Sequence, residues 1–388
     1  MPLLAPMPPR DTHEEHRTAT PLELFFDLTF VVAIAQAGNS LHHGLVDGDA
    51  GDALLSFPLV FFAIWWAWMN FTWFASAYDN DDVAYRLTVF VLMTGVLILA
   101  AGVPRAFDDQ DFGVITLGYV VMRLAMVGLW LRAAAQHPEG RSCALRYALG
   151  IAVLQIGWVL RLALPEGAGL VAYFVLVALE LSVPAWAEAT GRTTWHPGHI
   201  AERYGLFTII VLGESVLGAT VGVQTALDLD AHFEDVATVV VGGLLTLFAM
   251  WWMYFDMPTE RLIERARESS DAGRSGAFAW GYGHYFVFGA AAAMGAGLVV
   301  AVDQVTDHSD LTDVQAALAF TVPVVVFVVM VWMLHAPYKV STPLRNFGAP
   351  VAAVLILLAS FTPEPVLIAS FVLVALVVAS VALRAAGD

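Results

Sequence analysis

The sequence predicts an all-α polytopic membrane protein of about twelve transmembrane helices in two parallel six-helix repeats, with both termini in the cytoplasm. Three observations predict it. The 388 residues are 59% hydrophobic and only 14% charged, where a soluble domain carries about a quarter charged residues. Apolar runs of roughly twenty residues, the length that crosses a bilayer, recur from end to end. Segments of the first half reappear in the same order in the second.

The candidate spans are 21–44, 53–77, 85–104, 112–135, 143–163, 167–187, 198–223, 236–256, 277–301, 313–335, 345–361 and 364–384. The last two are short and separated by a tight turn at Thr362-Pro363-Glu364, so 345–384 reads as two spans or as a re-entrant hairpin. Residues 1–20, polar and Pro-rich, read as a mobile cytoplasmic tail. Residues 257–276 read as an amphipathic cytoplasmic loop between spans 8 and 9. Cytoplasmic loops carry the excess of Lys and Arg. With twelve spans, only Arg105 and Arg161 of the 18 basic residues fall outside, while Arg123 and Arg203 lie within spans. That split orients both termini inward in the cytoplasmic membrane.

The repeat rests on four matches. Glu23 and Thr29 of span 1 correspond to Glu202 and Thr208 of span 7, and FAIWW at 62–66 corresponds to FAMWW at 248–252. Leu129-Trp130 pairs with Val331-Trp332, and Leu145-Arg146 with Leu344-Arg345. The halves are 21–187 and 198–384. Six spans each gives both the same orientation, an arrangement found among transporters, whose site lies between the halves.

Several function classes drop out. A net charge of −17 without any basic stripe excludes nucleic-acid binding. The single cysteine, Cys143, excludes an intramolecular disulfide and a cysteine metal cluster. No hydrolase, zinc-protease or nucleotide-binding pattern is present, so neither catalytic residues nor a metal or cofactor is expected.

Ionisable residues inside spans are costly and mark candidate sites. Glu23 and Asp27 share one face of span 1, and Glu23 at the helix start is also suited to capping and helix-end electrostatics. Glu202 and Arg203 read as an interfacial pair at the start of span 7. Glu214 lies twelve residues beyond Glu202, roughly 18 Å along the helix and so near the bilayer midplane. Arg123 in span 4, about 16 Å from the outer side by the same rise, is its expected partner between the halves. Asp79 and Asp82, with Asp81 and Arg86, sit at the mouth of spans 2 and 3 as a possible gate or a solvated acidic loop. His284, Gln155 and Glu180 read as interhelical hydrogen-bond partners. Trp65, Trp66, Trp68 and Trp73 read as an interfacial belt plus packing.

Three segments, ELFFDLTFVVAIAQ at 23–36, WWAWMNFTWFASAYDNDD at 65–82 and ERYGLFTIIVLGESVLG at 202–218, resemble the signature segments of the bacterial low-temperature-requirement protein A family. The resemblance implies a multi-span bacterial inner-membrane protein linked by name to growth in the cold, and it implies no biochemical activity. Three functions fit the residues. A secondary transporter of a small solute, with protons as the candidate coupling ion, follows from the halves and the buried carboxylates. A membrane sensor or scaffold supporting growth in the cold is the alternative. An intramembrane lipid-modifying enzyme using Asp27, Glu214 or His284 is the third.

Overall fold

The computed structural model describes residues 2–11, 14, 18–78, 80–228, 233–256, 271–338 and 342–385. Among them the regular structure is helical, and the single β-bridge, Pro9 to Tyr78, stands alone. Twelve α-helices follow one another among the described residues: α1 (Pro21–Val46), α2 (Ala50–Ala77), α3 (Val83–Asp108), α4 (Gly113–Gln136), α5 (Arg141–Arg161), α6 (Glu166–Glu188), α7 (Pro197–Asp228), α8 (Phe233–Phe255), α9 (Asp271–Val305), α10 (Asp313–His335), α11 (Pro343–Ala359) and α12 (Pro365–Ala385). Ten are long and apolar enough to cross a membrane. The 17-residue α11 is shorter, about 25 Å against a hydrocarbon core of about 30 Å.

Local chemistry sets the helix starts. Thr312 and Gln315 close a capping box on α10. Asp82 caps α3 by accepting the Tyr85 N–H, and Thr342 caps α11 just before Pro343. Close helix approach needs glycine at defined places. A Cβ on Gly118 of α4 would stand 2.4 Å from the Leu99 nitrogen of α3, and one on Gly297 of α9 would stand 2.1 Å from the Ala319 oxygen of α10.

The chain divides into two compact units. One comprises Met1–Gln36 and Leu59–Arg203, the other Ala37–Pro58 and Tyr204–Asp388. The boundaries of these units cut through α1, α2 and α7. The first unit keeps the opening turns of α7, and the second takes the end of α1 and the start of α2. The matched segments also differ in environment: Trp65 and Trp66 are buried, whereas Trp251 and Trp252 are 45% and 47% exposed.

The expectation of a mobile tail is corrected for its described part. Val83 and Ala84 donate backbone hydrogen bonds to the carbonyls of Pro2 and Leu3, and Arg10 donates to that of Ala77. The Ala5 N–H donates to Asp82 Oδ2 at 2.7 Å, Arg132 Nη2 donates to the Ala5 carbonyl at 2.8 Å, and Met7 is fully buried. The acidic mouth therefore splits into two roles. Asp81 holds Arg86 in an exposed two-pronged pair. Asp82 is buried, paired with Arg132 and bonded to the N-terminal segment. Asp79 and residues 257–270 of the expected amphipathic loop lie outside the described residues.

Burial alone would raise the Asp82 pKa, but the hydrogen bonds from Arg132, Ala5 and Tyr85 outweigh it and bring it down to about 2. A carboxylate held below its ordinary value of about 3.9 stabilises the fold above that value, and the contribution fades as pH falls towards about 2. Amide exchange of residues 2–10 should therefore stay slow down to weakly acidic pH and accelerate below it. In Asp82→Asn it should be fast throughout.

Candidate functional site

The first unit holds two buried polar centres. The first forms where the opening turns of α1 and α7 meet α2. Residues four apart share a helix face, and three such pairs converge: Glu23 with Asp27, His199 with Arg203, and Trp68 with Thr72. Arg203 clasps Asp27 with Nε to Oδ2 at 3.0 Å and Nη2 to Oδ1 at 2.5 Å. It also donates to Thr72 Oγ1 at 3.3 Å, and Trp68 Nε1 donates to Asp27 Oδ1 at 2.7 Å. Glu23 Oε1 lies 3.2 Å from both Arg203 Nη1 and His199 Nε2. Its other oxygen accepts the Thr20 N–H at 2.7 Å while Thr20 Oγ1 accepts the Glu23 N–H at 3.2 Å. The capping role expected of Glu23 and a share in the buried centre thus coexist in one side chain.

All four ionisable members are buried. A two-pronged guanidinium–carboxylate contact is among the strongest available to buried charge. Among the described residues the Arg203 guanidinium meets both carboxylates. His199 is tied back into the chain, since its N–H donates to His196 Nδ1 at 3.2 Å. His196 Nε2 in turn meets the Glu14 carbonyl at 2.8 Å. Arg203 is therefore no interfacial residue, and Glu202 beside it is half-buried.

The second centre surrounds Glu180 of α6. Arg123 Nη2 donates to Oε2 at 2.7 Å and Trp66 Nε1 to the same oxygen at 3.0 Å. Tyr119, Trp158 and Gln155 donate to Oε1 at 3.1, 3.2 and 3.4 Å. Arg123 is 1% exposed and Glu180 fully buried. The pair is neutral and the carboxylate has no spare lone pair, so this centre locks α2, α4, α5 and α6 together. The expected Arg123–Glu214 pair is overturned, because the carboxylate that balances Arg123 is Glu180. Glu214 is half-buried, with no hydrogen bond or ion pair among the described residues. Depth counting held the missed signal: Glu180 lies thirteen residues into its span, roughly 20 Å from the side at which span 4 also begins, close to the depth of Arg123.

The tryptophans of α2 take the packing role of the two expected for them. Trp65, Trp66 and Trp68 are fully buried, and the last two donate to Glu180 and Asp27. In the second unit, His284 meets the Trp280 carbonyl through Nδ1 at 2.7 Å and the Tyr254 hydroxyl through Nε2 at 3.0 Å. Both ring nitrogens are satisfied within an aromatic box of Tyr204, Trp280 and Phe288. Among the described residues no three His, Cys, Asp or Glu side chains converge as a metal ion would require.

The sequence profile described as "Bacterial low temperature requirement A protein (LtrA)" matches residues 18–383. The chain belongs to this family. It is also similar to "Uncharacterized protein RA0937" of Rhizobium meliloti (strain 1021), 28% identical over 276 residues that cover 69% of this chain. The match spans 65% of that relative's own length. The three segments that carry the low temperature requirement A resemblance build the first centre. Glu23 and Asp27 lie in 23–36, Trp68 and Thr72 in 65–82, and Arg203 in 202–218.

Proposed function

We propose that this low temperature requirement A protein is a proton-coupled carrier of a small solute in the bacterial cytoplasmic membrane. Both termini face the cytoplasm, and the Glu23–Asp27–His199–Arg203 centre is its proton site. One observation carries the reading: two buried carboxylates share the Arg203 guanidinium, with an imidazole 3.2 Å from one of them. Asp27 is saturated by Arg203 and Trp68. Glu23 shares its Oε1 with the imidazole, so the proton resides between Glu23 and His199, the side chain whose ordinary pKa is nearest neutrality.

With the proton bound, imidazolium and guanidinium balance two carboxylates, and the starts of α1 and α7 are held together. Without it, one net negative charge sits in a low-dielectric interior, which is costly. Any conformation that admits water to the centre is then favoured. Proton occupancy thereby biases two conformations, as coupled transport requires. Arg203 clasps Asp27 throughout, and Trp68 and Thr72 hold the pair in register.

The test is uptake by purified protein in liposomes under an imposed pH gradient, across a panel of labelled organic acids, amines and sugars. The expected result is gradient-dependent uptake of at least one compound. His199→Gln and Asp27→Asn should each abolish it, and both should leave the protein folded. Uptake indifferent to both substitutions, or none driven by the gradient, would refute the reading.

A further inference from the structure

The geometry points to a second binding site in the first unit, a cleft that takes a small anionic group carried on an apolar or aromatic body. The cleft is narrow, about 20 Å³, room for roughly one water-sized group, so the anionic group enters it and the apolar body stays at its mouth. It lies at the end of this unit where α4 and α6 begin and α5 finishes, opposite the N-terminal segment. Its walls are aromatic: Phe62, Phe112, Tyr119, Trp158 and Tyr173.

Those walls are held in place beforehand. Tyr119 and Trp158 are bonded to Glu180, and the Tyr173 hydroxyl donates to the Leu59 carbonyl at 2.6 Å. Trp158 and Tyr173 pack edge to face at 5.1 Å. An anionic group entering here meets walls already in place, while the apolar body it carries rests at the mouth.

The slot has one charge, and it is positive. Arg161 lies over the rings of Phe112 and Tyr173 at 5.0 and 5.1 Å from their centroids. Its Nε donates to the Gly169 carbonyl at 2.9 Å, which fixes the plane of the guanidinium. Its two terminal nitrogens have no hydrogen-bond or ion-pair partner among the described residues. That leaves the edge of the fork that recognises a carboxylate or phosphate free. Thr116 also lines the cleft, and its hydroxyl is likewise without a partner among the described residues. A cation and a hydroxyl on an otherwise apolar wall select an anion with an apolar body over a neutral or polyhydroxylated solute. Such an anion comes either from a dissolved aromatic acid or from the headgroup of an anionic lipid. The site stands apart from the proton centre and does not depend on it.

Binding is read by thermal stabilisation and calorimetric titration of the full chain in nanodiscs of zwitterionic lipid, with phenylacetate as the probe and phenylacetamide as its uncharged isostere. Phenylacetate should stabilise saturably and phenylacetamide should not. Arg161→Gln should weaken binding roughly tenfold or more, the size of a charge-assisted hydrogen-bonded contact. Thr116→Val, which keeps the wall's shape, should weaken it less and serves if Arg161→Gln does not fold. Nanodiscs containing phosphatidylglycerol separate the sources. If that lipid stabilises the wild type through Arg161 and blocks phenylacetate, the anion is a headgroup. If phenylacetate binds equally well there, the site is for a dissolved acid. Neither anion acting through Arg161 or Thr116 would overturn the proposal.

Discussion

Arg203→Gln is expected to lower thermal stability more than any other substitution in the first centre. It removes the Arg203 guanidinium, which faces two carboxylates that are 3% and 0% exposed. Breaking a buried pair from one side leaves an uncompensated charge and costs about 3–5 kcal/mol. Asp27→Asn should be milder, since Glu23 then balances Arg203 and the amide oxygen still accepts from Trp68. The double substitution Asp27→Asn with Arg203→Gln should recover part of the loss, leaving one carboxylate in place of two. Unfolding of the purified variants in detergent, followed by near-ultraviolet circular dichroism, checks the order. Equal melting of Arg203→Gln and wild type would remove the centre from the account of stability.

Glu180 carries the second large effect. Five donors from three helices end on its two oxygens, and Glu180→Leu would leave the Arg123 guanidinium charged and buried. A loss of about 3–5 kcal/mol is expected for that single change. Removing both charges together, as Arg123→Met with Glu180→Leu, should cost much less, because apolar side chains of similar volume often replace a buried pair nearly neutrally. The four neutral donors then lose their acceptor, about 1–3 kcal/mol for each left unsatisfied, so recovery should be partial. A double-mutant cycle gives the coupling directly. Additive losses at Arg123 and Glu180 would mean that the pair is not what holds these helices.

The helices were largely legible in the sequence, and the centres only in part. Hydropathy and capping chemistry place α10 over the predicted 313–335, and α2 over 53–77 with one extra turn at its start. The candidates Glu23, Asp27 and Arg203 all enter the first centre, because charge inside an apolar run is conspicuous. Their pairing was not legible. Sequence adjacency made Glu202 the natural neighbour of Arg203, whereas the helix face it shares with His199 turns Arg203 towards α1. Trp66 and Trp68 fitted both belt and packing, because hydropathy does not reveal which face of a buried helix carries a hydrogen-bond acceptor opposite. Arg123 was matched to Glu214 by depth, and depth admits several partners; α6, packed against α5, supplies Glu180 instead. The internal repeat marked similar segments, yet 62–66 and 248–252 differ in burial, so likeness of sequence did not carry likeness of environment.

The claim that the first centre holds one exchangeable proton is tested most directly by histidine NMR on isotope-labelled protein in nanodiscs, with His199→Gln to assign the signal. The account predicts a His199 imidazolium, protonated on both nitrogens at neutral pH, that reverts to the neutral ring in Glu23→Gln, where the carboxylate beside it is gone. A His199 ring that is neutral in the wild type and unchanged by Glu23→Gln would contradict it.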